Sequence, residues 1–449
     1  MRHSSLAAGM VLASLLGVAA QGQTPGSSVP STAPPSQAIA TNPGSPLTLA
    51  QAEALALKNN PQITIGKLRA LAAQQYVREQ RSALLPTANL SVTAVDANPG
   101  SRIAAGALNN PILFPRAAAG ASVSQWITDF GRTTNLLSSA ESSARAEEDN
   151  AAATRAQILL AVDQAFYNAL ETKALVTVAT KTVDSRQIFV QKIQALTNAK
   201  LKSDLDLSFA KVDEARGRLL LLEAQNNADA ALASLSAILG YPDRQEFQLV
   251  EEAAPVTPPS LDVTSLIAQA LRQRPEIAAL QNEVDSAQKF AGAEHDLWRP
   301  TVGALGVVGL APVRDDHIPN WYGAVGININ IPVFNGWLYN ARAKTADLHT
   351  EVSRQRLMDS RNNIARDVRN SWQDANRAYE RLSVTQQLRE EAALSLDLAQ
   401  ARYNLGLGSI VEFTQAELQE TEAEITDTDA RYQYRLAELV LAYMAGAPK

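Results

Sequence analysis

The sequence has no cysteine in its 449 residues, and this absence limits its chemistry. Without cysteine we expect no disulfide, no thiolate metal site and no cysteine-linked lipid anchor. Histidine is scarce too, with four residues. His295, His317 and His349 are isolated from one another and lack the helical spacing of a metalloprotease motif, so we interpret them as surface residues. We therefore expect neither a bound metal nor a cofactor.

A strong charge of one sign and an enzyme motif are also missing. The formal net charge is −6, so the chain has no sequence-wide basic field of the kind that attracts duplex nucleic acid. The sequence contains no phosphate-cradling glycine loop and no nucleophile elbow. We expect no nucleic-acid partner, and we expect that the protein is not an enzyme.

Long apolar runs are confined to the start of the chain. Residues 6–20 are apolar, follow Arg2 and His3, and end in small residues before Gln21. A spanning helix needs roughly 20 apolar residues, whereas this shorter pattern is typical of a cleaved signal peptide. We predict a signal peptide over residues 1–20. Residues 21–46 are rich in Pro, Ser and Thr, with little to bury, and predict a disordered tether.

The rest of the chain contains an internal repeat. Pro61 recurs as Pro275, and Gly240 recurs as Gly446, with further matches in the same order between them. A duplication of this size predicts two structural repeats. We place them at residues 47–240 and 261–449, joined by a linker at 241–260.

Each repeat predicts a helical start, a pair of strands, a long helix and a shorter returning helix. Apolar Val325, Ile327 and Ile329 alternate with small or polar residues, which is typical of a strand with two unlike faces. The predicted strand pairs are residues 87–96 with 118–128 and residues 301–310 with 321–332. A tilted strand of about 10 residues is long enough to cross a bilayer.

Two predicted helices are unusually long. Residues 132–200 contain neither proline nor glycine, and residues 338–405 repeat the pattern. At 1.5 Å per residue each would extend about 100 Å. Such helices need neighbours along their whole length, so we expect coiled-coil-like packing with the returning helices, 203–239 and 409–445, and with other chains.

The strands require partners from other chains. Four strands are too few to close a barrel, and open edges within lipid would leave backbone groups unpaired. We therefore predict a barrel shared between chains. Tryptophans lie near the predicted strand ends, where a membrane-interface belt would place them: Trp126, Trp298, Trp321 and Trp337. The alternative, an ordinary core or helix aromatic, accounts well only for Trp372.

Short motifs resemble the TolC family of outer membrane factors. They are the proline stops Pro86 and Pro300, the phrase Pro-Val-Phe-Asn-Gly at 332–336, and the phrase Tyr-Asn-Leu-Gly-Leu-Gly-Ser at 403–409. The resemblance extends from residue 47 nearly to the C-terminus. It implies a mostly α fold with transmembrane β structure: a homotrimer whose 12-stranded β-barrel, four strands per chain, continues into a long α-helical periplasmic barrel.

The same resemblance implies a function. It predicts a passive channel in the cell outer membrane, belonging to a tripartite efflux or type I secretion system. Its partners would be a periplasmic adaptor protein, an inner-membrane pump and outer-membrane lipid. The substrate, whether drug, metal ion or protein, stays open, as does the pump. The alternative is a soluble periplasmic coiled-coil scaffold, which would be extracted without detergent.

The family also indicates where the functional residues lie. The turns between long and returning helices would be the tips that dock the adaptor: Leu201, Lys202, Ser203, Gly406, Leu407, Gly408 and Ser409. The two glycines also suit a plain helix cap.

The expected gate lies beside these tips. Glu412 matches the first of two acidic residues that ring the constriction in the family, and Gln415 replaces the second. Asp206 and Tyr403 match a pair that links the tip helices, whereas Gly408 replaces the basic residue beside them. The resemblance therefore implies a closed gate that is held less firmly. The alternative is that Asp206 and Glu412 are ordinary solvated charges.

Overall fold

The computed structural model describes residues 46–95, 116–251, 255–260, 262–312 and 319–447. The predicted signal peptide and residues 21–45 of the predicted tether lie outside these ranges, as do Asp96 and His317. Within them, no helix is both long enough and apolar enough to cross a membrane.

The described chain contains six strands, eight α-helices and one 3₁₀ turn. In chain order they are β1 (Pro46–Leu47), α1 (Leu49–Asn59), α2 (Pro61–Ser82), β2 (Thr87–Val95), β3 (Arg116–Thr128), α3 (Arg132–Asn198), α4 (Asp204–Ile238), β4 (Gln248–Leu249), α5 (Val263–Gln273), α6 (Pro275–His295), the 3₁₀ turn Asp296–Trp298, β5 (Thr301–Leu310), β6 (Trp321–Asn330), α7 (Leu338–Asn404) and α8 (Ile410–Met444).

The first helices are separated by local capping rather than by a long loop. Thr48 caps α1, and its hydroxyl accepts a hydrogen bond from the backbone N–H of Gln51. Asn60 ends α1 and caps α2, with Pro61 at the first position of α2, where its missing N–H costs nothing. In the second half, Arg274 and Pro275 occupy the corresponding junction between α5 and α6.

Four strands form one antiparallel sheet in the order β2-β3-β5-β6. β2 and β6 are the edges of this sheet, so each has one side without a partner strand among the described residues. β6 ends at Asn330, two residues short of the predicted boundary, because Pro332 has no N–H to donate to a strand ladder. β3 begins at Arg116, two residues before its predicted start.

A second, very small sheet was not predicted from the sequence. β1 pairs in parallel with β4, joining Leu47 to Leu249. Leu47 is buried in a cluster with Phe166, Leu235 and Tyr241. The start of the first repeat, at Leu47, and the predicted linker, at Leu249, therefore pack against the same core.

The long helices form two hairpins. α3 and α7 each have 67 residues, and the returning helices α4 and α8 each have 35. α3 packs along α4, and α7 along α8, while α3 also contacts α6 and α8. Many of the buried residues of α3 are alanines, which favour helix and permit close approach of neighbouring backbones.

Candidate functional site

The turns that end the two hairpins differ in the type of residue that adopts a left-handed backbone conformation. Between α3 and α4, Lys200 adopts a left-handed conformation with φ of 62°, which is uncommon for a residue with a side chain. Between α7 and α8, Gly406 adopts the left-handed conformation, with φ of 72°. In both turns a leucine N–H closes the helix end: Leu201 donates to the Leu196 carbonyl and Leu407 to the Arg402 carbonyl, each at 2.8 Å.

Capping residues begin the returning helices. Ser203 caps α4 in a reciprocal arrangement with Asp206, whose carboxylate accepts from the Ser203 N–H at 3.2 Å. Ser409 caps α8, and its hydroxyl accepts from the Glu412 N–H at 3.1 Å. Asp206 therefore has a local structural task, in addition to any role in a gate.

The outermost side chains of both tips are apolar and solvent-exposed. Leu201, Leu405 and Leu407 are 70%, 74% and 69% exposed. Clustered apolar side chains at the end of a polar structure mark a surface suited to protein contact.

Behind the tips, aromatic residues join the two hairpins. Phe189 of α3 packs on Phe413 of α8, with ring centroids 4.5 Å apart, and Tyr403 stacks on Phe413 at 5.8 Å. The Lys202 ammonium lies 3.8 Å from the Tyr403 ring centroid, within the range of a cation–π interaction. Lys202, predicted at a docking tip, thus contacts the opposite hairpin of its own chain.

Tyr403 is almost wholly buried. Burial raises the pKa of its hydroxyl to about 12, and the negative charge of Asp206 adds to the shift. Among the described residues, that hydroxyl has no hydrogen-bond partner. Asp206 and Tyr403 are thus close enough to interact through charge, whereas the contacts that connect Tyr403 to other residues are aromatic and cationic.

Glu412 pairs with a basic residue that the sequence analysis missed. Its Oε1 lies 3.0 Å from Nε of Arg402, and Arg402 also donates to the Leu407 carbonyl at 3.3 Å. A Cβ on Gly408 would lie 3.1 Å from Glu412 Oε2 and 3.2 Å from Arg402 Cβ. The absence of a side chain at Gly408 therefore leaves room for this ion pair. Gln415 is exposed on the same helix.

About two helical turns behind Ser409, a buried polar cluster joins three helices. Arg186 of α3 contacts Asp213 of α4 at 3.0 Å, between Nε and Oδ2, and a carboxyl group from α8, that of Glu417, lies beside them. The sequence pattern alone does not distinguish these residues from solvated helix charges. The one sequence feature that could have identified them is a charged residue at a position where the helical pattern predicts burial.

The strands expose large apolar side chains at the opposite end of the described structure. Leu90 on β2 and Val325 on β6 are 79% and 91% exposed. Continuous apolar exposure on a sheet is unfavourable in water but suits lipid or another protein surface.

The predicted belt tryptophans lie at both ends of this sheet. Trp126, 54% exposed, lies near the helical end of β3, and Trp321, 63% exposed, begins β6 at the other end. Trp337 immediately precedes α7, and the indole N–H of Trp298 donates to Asn340 at 3.2 Å. Trp372 lies elsewhere, in the middle of α7, and donates to the Ser260 carbonyl at 2.6 Å.

The described ranges offer no group of three or more acidic or histidine side chains placed to hold a metal ion. His295 lies 3.1 Å from Asp347 on the surface.

Comparison with known proteins connects this architecture to one family. Residues 54–241 and 266–447 match the family described as "Outer membrane efflux protein". The chain is 22% identical to outer membrane protein TolC of Salmonella enteritidis over 89% of its own length and 83% of that protein. It is 25% identical to the cobalt-zinc-cadmium resistance protein CzcC of Cupriavidus metallidurans over 71% of each chain.

Solved structures share the fold. The CmeC outer membrane channel of Campylobacter jejuni superposes with a TM-score of 0.76 at 17% identity, covering 89% of this chain and 85% of the other. The outer membrane protein VceC of Vibrio cholerae gives a TM-score of 0.76 at 20% identity, covering 89% and 96%.

Proposed function

The chain belongs to the outer membrane efflux protein family, and we propose how its parts work as an outer-membrane channel. It is a passive outer-membrane channel of an efflux or type I secretion system, and it is not an enzyme. Family membership decides against the alternative of a soluble periplasmic scaffold. We propose that the channel is a homotrimer whose 12 strands close one barrel, that its helical tips meet a periplasmic adaptor, and that the adaptor joins it to an inner-membrane pump.

The open four-stranded sheet is the observation that supports assembly into a trimer. Within the described ranges, β2 and β6 each leave one edge unpaired, and both strands expose large apolar side chains. In lipid, unpaired backbone groups cost several kcal/mol each. Three copies joined edge to edge remove all of these edges and turn the apolar face toward the membrane.

The test is assembly in detergent. We expect a detergent-stable trimer that loses strand signal in circular dichroism when it is forced apart into monomers. A folded, membrane-inserted monomer in light scattering would exclude the shared barrel.

The adaptor is proposed to dock at the tips defined above. The supporting feature is the exposed apolar group Leu201, Leu405 and Leu407 at the ends of both hairpins. A double substitution, Leu201→Ser with Leu407→Ser, should abolish export while trimers and membrane insertion persist. The matched control is Leu348→Ser, an exposed leucine of α7 remote from the tips. Export that survives the double substitution would place docking elsewhere.

The substrate is proposed to be set by the pump. The relatives include proteins named for cobalt-zinc-cadmium resistance and for alkaline protease secretion, so similar channels serve unlike cargoes. We also propose that residues 1–20 are cleaved on export and that the mature chain carries no lipid. The mass of the protein purified from membranes tests both points.

A further inference from the structure

The cluster of Arg186, Asp213 and Glu417 lies where the two hairpins meet. Arg186 belongs to α3 and Asp213 to α4, the first hairpin, whereas Glu417 belongs to α8 of the second. α4 packs along α3 over its length but touches α8 over a short stretch. This stretch, together with the contact between α3 and α8, joins the two hairpins behind the tips.

The guanidinium of Arg186 makes contacts to both hairpins. Its Nε contacts Asp213 Oδ2 at 3.0 Å, its Nη1 donates to the Asp213 backbone carbonyl at 3.0 Å, and its Nη2 reaches the Thr421 hydroxyl at 3.5 Å. Gly217 makes this approach possible, because a Cβ there would lie 3.2 Å from Arg186 Cδ. Arg186 is 5% exposed and Asp213 4%, so the pair is shielded from water.

Glu417 adds a second carboxyl group to this pair. It is 7% exposed, lines the same cavity as Arg186, and lies close enough to Asp213 for the two carboxyl groups to interact. Two carboxylates cannot share a hydrogen bond unless one of them is protonated. One guanidinium, two carboxyl groups and one proton give a neutral cluster, whereas loss of the proton leaves a net negative charge buried between the hairpins.

Other charged groups face the cluster from every helix packed against it. They are Arg216 on α4, Lys181 on α3, Glu420 and Glu424 on α8, and Arg389 on α7. Lys181 lies 3.7 Å from Glu424, so its charge is largely directed to that carboxylate. Glu420 is a further acid on the same face of α8, and it opposes ionisation of Glu417.

We propose that Arg186, Asp213 and Glu417 form a proton-dependent lock that holds the two hairpins together behind the tips. The proposal rests on the channel function above and adds a control that the tip residues do not supply. With the proton present, Glu417 donates to Asp213 and the hairpins stay packed. When the proton leaves, the second negative charge drives α8 away from α4 and toward water, which favours an open duct.

The direction of the pH dependence follows from the environment of Glu417. Burial raises the pKa of Glu417 to about 7, and the charge of Asp213 adds to the shift, while Arg186 opposes it. In a separated state, where Glu417 is in water, its pKa returns to the ordinary value near 4.5. The packed state thus binds more protons between these values. Its advantage over the open state is complete below the lower pKa and falls as pH rises toward 7, by at most about tenfold per pH unit.

The experiment records single-channel currents of the purified full-length protein in planar bilayers, with the pH of the helical side varied from 5 to 8. The open probability relative to the closed one should rise on the order of tenfold between pH 5.5 and 7.5. Glu417→Gln, which keeps a neutral side chain of the same shape, should remove this rise and stay closed. Asp213→Asn should also remove it, because Glu417 can then ionise beside Arg186.

Controls distinguish the lock from other acids. Glu391→Gln, which changes an exposed carboxylate of α7, should behave as the unmodified protein, and Glu420→Gln should retain a pH dependence.

A second readout does not depend on conduction. A nitroxide on a single cysteine at exposed Gln419, in this cysteine-free chain, should gain mobility as pH rises. An unmodified protein without pH dependence in both readouts, or a Glu417→Gln variant that retains it, overturns the lock. If no current flows at any pH while the nitroxide still gains mobility, the result instead contradicts the proposed channel function.

Discussion

At the end of the second hairpin, the carboxylate of Glu412 is shared with Arg402, 3.0 Å away. The family resemblance placed Glu412 alone at a constriction. The structure adds a basic partner, Arg402, which reaches Glu412 from the end of α7. Because both side chains are about half exposed, water screens the pair, and the negative charge of Glu412 is only partly neutralised.

Substitutions of this pair should have opposite effects on ion selectivity. Glu412→Gln should weaken cation preference in planar bilayers, and Arg402→Gln should strengthen it by leaving the carboxylate unpaired. Reversal potentials in a salt gradient measure both changes. Glu391→Gln is the control and should alter neither. If Glu412→Gln leaves selectivity and divalent block unchanged, Glu412 does not line the constriction.

The two tip glycines should differ in what they tolerate. Gly406 has φ of 72° and open space around it, so Gly406→Ala should cost roughly 1–2 kcal/mol of backbone strain and leave export intact. Gly408→Leu should displace the Arg402–Glu412 pair, which lies within 3.2 Å of the new Cβ, and abolish export. Substrate export and trimer content on gels, measured together, separate the two effects. Equal loss of export in both variants would contradict this distinction.

Residue roles were only partly predictable from the sequence. The tip glycines and capping serines are visible because turn chemistry is local. Arg402, Arg186 and Glu417 were missed because their partners lie on other helices or across a turn. Lys202 shows the same limit: its sequence position indicated a docking tip, but the fold directs its ammonium toward Tyr403.

At the scale of elements, the aromatic group behind the tips connects α3 with α7 and α8. Ile193 is fully buried in this group. Ile193→Ala should cost about 2–5 kcal/mol of local stability, because it removes buried methyl groups and leaves a cavity. Hydrogen exchange in the last turns of α3 and the first turns of α8 should accelerate. Ile188→Ala, at a side chain 66% exposed in the protomer, should leave exchange at the tips unchanged; equal acceleration in both variants would count against the packing role.

Helices and strands were predictable to different degrees. The ends of α3 and α7 lie within two residues of the predicted ones, because long runs without proline or glycine give a strong helical signal and the turns that end them are chemically distinct. β1 and β4 were missed because two-residue strands have no periodicity. Their pairing depends on Leu47 and Leu249 meeting in a core formed by distant helices.

For the whole molecule, the cysteine-free sequence allows the proposed trimer to be tested by cross-linking. β2 and β6 are separated by two strands, about 14 Å at ordinary strand spacing, which is too far for a disulfide within one protomer. Cysteines introduced along both edges should therefore cross-link different chains and give dimer and trimer bands on non-reducing gels.

The matched control places both cysteines within the protomer. Ala121 and Val308 are partners in the β3–β5 register, so a disulfide between cysteines at these positions should migrate as a monomer. A control disulfide that forms while every β2–β6 pair fails would contradict edge-to-edge assembly.

The equal lengths of the two long helices restrict how the length of the helical duct can differ among relatives. Each inserted residue advances a helix by 1.5 Å and turns all later side chains by about 100°. A single insertion in α3 would rotate its buried alanines away from α4 and α8. Steps of about seven or eleven residues, near 10 or 16 Å, restore the facing surfaces, and they must occur together in the helices that pack side by side. Relatives that bridge periplasms of different width should therefore differ by such steps, inserted at matching heights in both hairpins.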